Sequence, residues 1–146
     1  GGREKAPAAL SRKVALAKIN NEKEIEVWGD GEQTRSFMYI DDCLVGTKKI
    51  FNSNLTDVYN LGSSEQVSIN QLIDIIEKIA DYKVNRKYLL DKPKGVRGRS
   101  SDNNKIKSDL GWEPSIKLLD GLTKTYQWID QQIKSGENTL KFTKSY

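Results

Sequence analysis

Apolar residues recur at helical spacing in three stretches of the chain, and shorter apolar runs fill the gaps. From Pro7, which a first helical turn accepts, Ala8, Ala9, Leu10, Val14, Ala15 and Ile19 form one stripe. The clearest helix starts at Ser68. Ser68 and Gln71 have the spacing of a capping box, and Ile69, Leu72, Ile73, Ile76 and Ile79 repeat at three and four. Leu118, Leu122, Tyr126, Ile129 and Ile133 give a final amphipathic helix, after which the chain from Lys134 is polar and reads as a loose tail. Two more helices are expected. One carries Leu44, Val45, Ile50 and Phe51, begins near Cys43 and is capped by Asp41 or Asp42. The other runs from Asp102 through Ile106 and Leu110 to a stop at Gly111.

Strands are expected at Glu24 to Trp28, at Ser36 to Ile40, at Val58 to Leu61 and at Lys83 to Leu90. The second contains Phe37, Met38, Tyr39 and Ile40, too apolar and aromatic for a loop, and reads as buried. A Pro/Gly/Arg loop runs from Lys92 to Ser100. Strands separated by helices make an α/β protein. Four short strands with these gaps do not complete a doubly wound sheet, and the chain has no glycine-rich strand-to-helix turn of the dinucleotide type. The pattern reads as part of a larger α/β fold, with residues 1–133 as the folded unit and 134–146 as its tail.

Composition narrows the function classes. At 146 residues, with 36% hydrophobic and 30% charged, the chain allows one domain with a thin core. A single cysteine, Cys43, rules out an internal disulfide framework and fits a reducing cytosol. The absence of histidine excludes histidine metal sites and Ser-His triads. The net charge of +4 comes from scattered lysines with no aromatic-interleaved basic run, so a solvated basic surface is expected and not a nucleic-acid partner. No apolar run approaches the roughly 20 residues of a membrane span. The opening Gly1-Gly2-Arg3-Glu4-Lys5 is not a signal peptide and has no initiator Met. The expectation is a cytoplasmic protein whose chain here begins inside a longer one or after processing.

The densest candidate chemistry lies in WGDGEQTRSFMYIDD, residues 28–42. Asp30-Gly31 is a turn dipeptide, and Gln33 and Arg35 follow at once. An arginine where a turn enters a strand can grip an anion bidentately; the plain alternative is a hairpin turn with a surface arginine. In GVRGRS, Gly95 and Gly98 free the loop backbone, and Arg97 and Arg99 could clamp a diphosphate or could make a solvated basic loop. Lys5 precedes the first helix, where the positive end of the helix dipole helps a lysine exchange a proton near neutral pH; alternatively it is an exposed side chain at a frayed end.

WGDGEQTRSFMYIDD resembles the substrate-domain motif of the extended short-chain dehydrogenase/reductase family, the nucleotide-sugar epimerases and dehydratases. GGREKAPAA at the start, GVRGRSSDNNKIKSDLGWEP from Gly95 and DGLTKTYQWIDQQI from Asp120 are similar to one branch, the GDP-mannose 3,5-epimerases. The resemblance covers roughly nine-tenths of the chain. It implies an α/β fold, the C-terminal substrate-binding part of such an enzyme without its N-terminal Rossmann part. By the same matching, Lys5 is a catalytic acid/base, and Glu4, Lys5, Ala6, Lys13, Gln33, Thr34, Arg35 and Arg99 bind the nucleotide sugar. Lys13 falls off the apolar stripe of its helix, which is compatible with facing a ligand. Cys43 lies outside the family's catalytic-cysteine motif and reads as a buried small hydrophobe. Leu10-Ser11 in place of the more usual Phe-Cys, and a long segment from Ala17 to Glu24, mark a divergent member.

For the intact enzyme, a homodimer, the resemblance implies that bound NAD oxidises the sugar at C4. The ketone acidifies the C3 and C5 hydrogens, a cysteine of the other half and Lys5 exchange protons on opposite faces, and NADH re-reduces C4. The chain alone is expected to be inactive. Two alternatives stand beside this reading: another 4-epimerase or 4,6-dehydratase of the superfamily, and a stand-alone module for anionic ligands.

Overall fold

A computed structural model describes residues 4–93 and 95–136. Three helices carry the core. Helix α1 (Ala6–Asn20) holds Pro7 in its first turn and ends where Asn21 turns left-handed, at φ 56°, with its N–H on the carbonyls of Ala17 and Lys18. Helix α3 (Ile69–Ala80) opens on a reciprocal box. The Ser68 hydroxyl accepts from the Gln71 N–H at 3.0 Å, and the Ser68 N–H donates to Gln71 Oε1 at 2.8 Å. Helix α5 (Leu118–Lys134) lies against both. Val14, Ala15, Leu72, Ile73, Ile76 and Leu122 are buried between them, where each full-sized aliphatic side chain contributes about 1.5–3 kcal/mol. At one end Lys18 Nζ donates to the Ala80 carbonyl at 2.6 Å and joins α1 to α3.

Two small sheets flank this bundle. Strand β1 (Glu24–Trp28) runs parallel to β4 (Asn85–Leu89), with Ile25 opposite Arg86 and Val27 opposite Tyr88. Ile25 and Val27 join the helical core while Glu24, Glu26 and Trp28 face outward, the alternation of a one-sided strand. In the second sheet β2 (Thr34–Ser36) is central. It pairs antiparallel with β3 (Gln66–Ser68) and parallel with β5 (Gly98–Arg99). Helices α2 (Ile40–Phe51) and α4 (Asn104–Leu110) are the other helices among the described residues. Among the described residues no helix is long and apolar enough to cross a membrane.

Several sequence expectations are corrected. The strand expected at Ser36–Ile40 lies earlier and ends at Ser36, because β3 offers a pairing partner only over Gln66–Ser68. Phe37, Met38 and Tyr39 are half-buried irregular chain. The Tyr39 ring sits so close to Gly121 of α5 that a Cβ there would come within 3.1 Å of it. The N-cap of α2 is Tyr39, with no side-chain hydrogen bond, and not Asp41 or Asp42. Asn103 and not Asp102 takes the N-cap of α4, although Asp102 Oδ1 accepts the Asn104 N–H at 2.9 Å, and Gly111 ends that helix left-handed as expected. Residues 58–61 form no strand, since no described strand runs beside them, and Val58 is 90% exposed. Cys43 is half-buried and not fully buried. The expected tail shrinks at its start, because α5 reaches Lys134 and the chain is described to Gly136; residues 137–146 lie outside the described residues, as do Gly1 to Arg3.

Candidate nucleotide-sugar site

The turn after β1 organises the site. Gly29 N–H donates to the Leu89 carbonyl at 2.9 Å, and Asp30 Oδ1 accepts the Glu32 N–H at 3.0 Å, an Asx turn. Gly31 follows at φ +77°, a conformation that suits glycine, and a Cβ there would collide with the Asn70 side chain. Asn70 holds the turn from the first turn of α3. Its backbone N–H donates to the Gly31 carbonyl at 3.0 Å, and its amide donates to the Asp30 carbonyl and to Glu32 Oε1. Its side-chain oxygen accepts from the Tyr88 hydroxyl at 2.9 Å.

Gln33 leaves this turn with only 8% of its surface exposed. Its Nε2 donates to the Trp28 carbonyl at 3.1 Å, its own carbonyl accepts the Ile69 N–H at 3.2 Å, and its Oε1 is buried with no hydrogen-bond partner. A buried acceptor in that state costs about 1–3 kcal/mol. Gln33 lines a cavity of about 230 Å³ with Glu4, Ala6, Lys13 and Trp28. Lys13 Nζ bonds the Glu26 carbonyl at 2.6 Å, and Glu4 is ion-paired with Arg12.

Immediately after Gln33, the chain pairs with β5. The parallel register sets Arg35 directly opposite Arg99 and Thr34 opposite Gly98. The Thr34 N–H donates to the Arg97 carbonyl at 2.9 Å, and a Cβ on Gly98 would lie 2.9 Å from Thr34 Oγ1, so a larger residue there would have to displace the Thr34 hydroxyl. Arg35 and Arg99 line a second cavity, of about 250 Å³, with Asn60 and Ser101. Arg35 Nη1 also donates to the Thr34 carbonyl at 2.6 Å; two arginines lining one cavity suit a multiply charged anion.

The residues expected to bind ligand therefore fall into two groups joined by β2: Glu4, Ala6, Lys13 and Gln33 in one cavity, Arg35 and Arg99 in the other. Thr34 lies on the strand between them. Lys5 is the N-cap of α1, exposed, and does not line the first cavity. Arg97 departs from the expected clamp, since its Nη1 pairs with Asp30 Oδ2 at 3.1 Å. Sequence reasoning missed Trp28, Asn60 and Asn70. Trp28 carried a signal, as an aromatic on the polar phase of an alternating strand; Asn70 and Asn60 reach the site only through tertiary contacts.

The family described as GDP-mannose 4,6 dehydratase matches residues 2–125. GDP-mannose 3,5-epimerase 1 of Oryza sativa subsp. indica is 47% identical over 134 residues, 92% of this chain and 34% of that protein. The UDP-glucuronate 4-epimerase of Thermodesulfobacterium geofontis is 38% identical over 117 residues, 80% of this chain and 36% of that protein. Among solved structures, the UDP-glucose 4-epimerase of Thermotoga maritima with UDP-glucose superposes with a TM-score of 0.81 at 26% identity, over 90% of this chain and 41% of that one. The UDP-glucuronic acid 4-epimerase of Bacillus cereus, in complex with UDP-glucuronic acid and NAD, gives 0.73 at 30% identity, over 84% and 40%. The chain thus spans about a third of the length of the curated relatives it matches. By its match over residues 2–125 it belongs to the GDP-mannose 4,6 dehydratase family, among the extended short-chain dehydrogenase/reductase epimerases and dehydratases.

Proposed function

We propose that this chain is the nucleotide-sugar-binding portion of an NAD-dependent, homodimeric GDP-mannose 3,5-epimerase. The observation that carries the reading is Arg35 opposite Arg99 across β2 and β5, two residues from the buried, unpartnered Gln33 oxygen. The arginine pair suits a diphosphate, and Gln33 lines the neighbouring cavity. Holding the ligand at these remote points positions the reacting sugar ring. Lys5, ahead of α1, serves as the acid/base that moves a proton at a ring carbon.

We read the described residues as lacking a dinucleotide site. No strand of the two parallel pairs is followed by a glycine-rich turn into a helix: β1 leads to the Asp30 turn and β2, β4 leads to the loop before β5, β2 reaches α2 through Phe37, Met38 and Tyr39, and β5 reaches α4 through Ser100 to Asn103. We place NAD on the remainder of a longer protein. The exposed side chains of Leu44, Val45 and Phe51 on α2 support docking onto that part.

Incubating the longer protein with GDP-mannose and reading the products by NMR tests the assignment. Exchange at C3 and C5 is expected; inversion at C4 alone, or a 4-keto-6-deoxy product, replaces it with another chemistry of the family. The 146-residue chain alone is expected to turn over no GDP-mannose. Tight binding of GDP-mannose by the chain alone would favour a free-standing binding module.

A further inference from the structure

Strand β5 is only two residues long, both exposed, and yet its register decides which side chain stands beside Arg35. A slip of one residue would bring Gly98 or Ser100 opposite Arg35 and turn Arg99 to the other face of the sheet. The native register also sets two like charges directly opposite one another, an arrangement that pushes strands apart. Contacts outside the two-residue ladder hold it: after β5 the Ser101 N–H donates to the Ser63 carbonyl at 3.2 Å, and before β5 Arg97 pairs with Asp30.

We propose that Arg97 is a positioning residue, whose ion pair with Asp30 pins β5 in the register that pairs Arg99 with Arg35. The pair joins the chain two residues before Arg99 to the chain five residues before Arg35, at 3.1 Å. The Thr34 N–H on the Arg97 carbonyl, at 2.9 Å, then fixes the ladder between those points. Asp30 is a firm anchor. Its Oδ1 closes the Asx turn on the Glu32 N–H, its carbonyl accepts from Asn70 Nδ2, and Asn70 also holds the Gly31 carbonyl. Arg97 therefore acts on the ligand through Arg99 and touches the opposite partner. This rests on the reading of Arg35 and Arg99 as the diphosphate grip.

Loss of a positive charge near an anion site weakens binding by itself, so the sign of the Asp30 variant decides. Asp30→Asn keeps the Asx-turn acceptor and removes a negative charge. Bulk electrostatics makes it bind GDP-mannose better, whereas loss of the pin makes it bind worse. With the full-length enzyme, Arg97→Gln and Asp30→Asn are each expected to raise KM about two- to fivefold, the range an exposed ion pair supports, with kcat unchanged. The double variant is expected to be no worse than the poorer single one, and Arg97→Lys to restore much of the loss. Amide hydrogen exchange at Thr34 is expected to quicken in both single variants, while exchange at Ile69, which bonds the Gln33 carbonyl, stays as it was. An Asp30→Asn enzyme with lowered KM, or unchanged exchange at Thr34, overturns the proposal. Arg99→Gln with unchanged KM overturns the grip instead, and Thr34 exchange in Arg97→Gln still decides whether Arg97 pins the strand.

Discussion

The Asp42 carboxylate, on the first turn of α2, accepts hydrogen bonds from Ser115, 73 residues further along the chain. The Ser115 N–H reaches Oδ2 at 3.0 Å and its hydroxyl reaches Oδ1 at 2.9 Å; the Ile116 N–H adds a third bond to Oδ2 at 2.8 Å. Asp42 is 4% exposed, so these donors stand where water would otherwise be. Asp42→Ala leaves two backbone N–H groups without their acceptor and is expected to cost about 2–3 kcal/mol. Asp42→Asn can keep all three contacts, with its oxygen on the two N–H groups and its amide donating to the Ser115 hydroxyl. It is expected to cost about 1 kcal/mol, the charge-assisted part. Urea unfolding of the two variants checks the order. Equal losses would show that the hydrogen-bond geometry contributes little.

The same carboxylate predicts an acid limb in stability. Burial pushes the Asp42 pKa up, but the bonds from Ile116 and Ser115 and the charge of Lys124 outweigh it and hold the group below its ordinary 3.8. A carboxylate depressed in the fold contributes stability above its unfolded pKa. That contribution fades as pH falls through 3.8 and is gone below the folded value. Thermal melts of the chain from about pH 6 to about pH 2 are expected to show the protein losing stability more steeply than Asp42→Asn in the acid range. Parallel curves for the two proteins below about pH 4 would rule out this carboxylate as a source of the acid limb.

Asp42 also shows where the sequence was legible and where it was not. Local grammar was readable: the Ser68–Gln71 box, the Gly111 stop and the alternation of Glu24–Trp28 depend on neighbours within a few positions. An aspartate just before an apolar helix reads as a cap on the same logic, but Ser115 and Ile116 compete for it from far along the chain. Residues 58–61 have the composition of a strand, and strands form only against a partner that their own sequence does not contain. The site divides in the same way. Arg35 and Arg99 stand out as arginines near turn glycines and Lys5 as a lysine ahead of a helix, whereas the roles of Glu4 and Lys13 entered only through family resemblance. The cavity that gathers Glu4, Lys13 and Gln33 exists because α1, β1 and the turn before β2 meet there.

Gly31 and Asn70 make a pair whose substitutions should interact. Gly31→Ala meets two obstacles, the positive φ of 77° and the Asn70 side chain in the space of the new Cβ. Together these are expected to cost about 2–3 kcal/mol. Asn70→Ala removes the collision but also the bonds to Asp30, Glu32 and Tyr88. The double variant is therefore expected to be less destabilised than the two single losses added together, by about 1 kcal/mol, because the clash can be relieved only once. Additive losses in chemical denaturation would mean that the Asn70 side chain moves aside freely and does not clamp the turn.

Lys5 and Arg99 should separate in kinetics of the full-length enzyme. Arg99 stands opposite Arg35 and is expected to act in binding, so Arg99→Gln should raise KM about tenfold, the value of a charge-assisted hydrogen bond, with a smaller change in kcat. Lys5 is exposed at the N-cap of α1, and its backbone carbonyl, not its side chain, accepts the Ala9 N–H at 2.9 Å. Replacing it should leave the helix and the melting temperature intact. If it moves a proton, Lys5→Met should lower kcat by about 10²–10⁴ while KM changes little. Lys5→Arg distinguishes proton transfer from charge, because arginine keeps the positive charge and does not release a proton near neutral pH. An arginine variant as slow as the methionine one assigns acid/base chemistry to Lys5; one that keeps its kcat makes Lys5 an electrostatic contact, and the acid/base group must then be sought elsewhere.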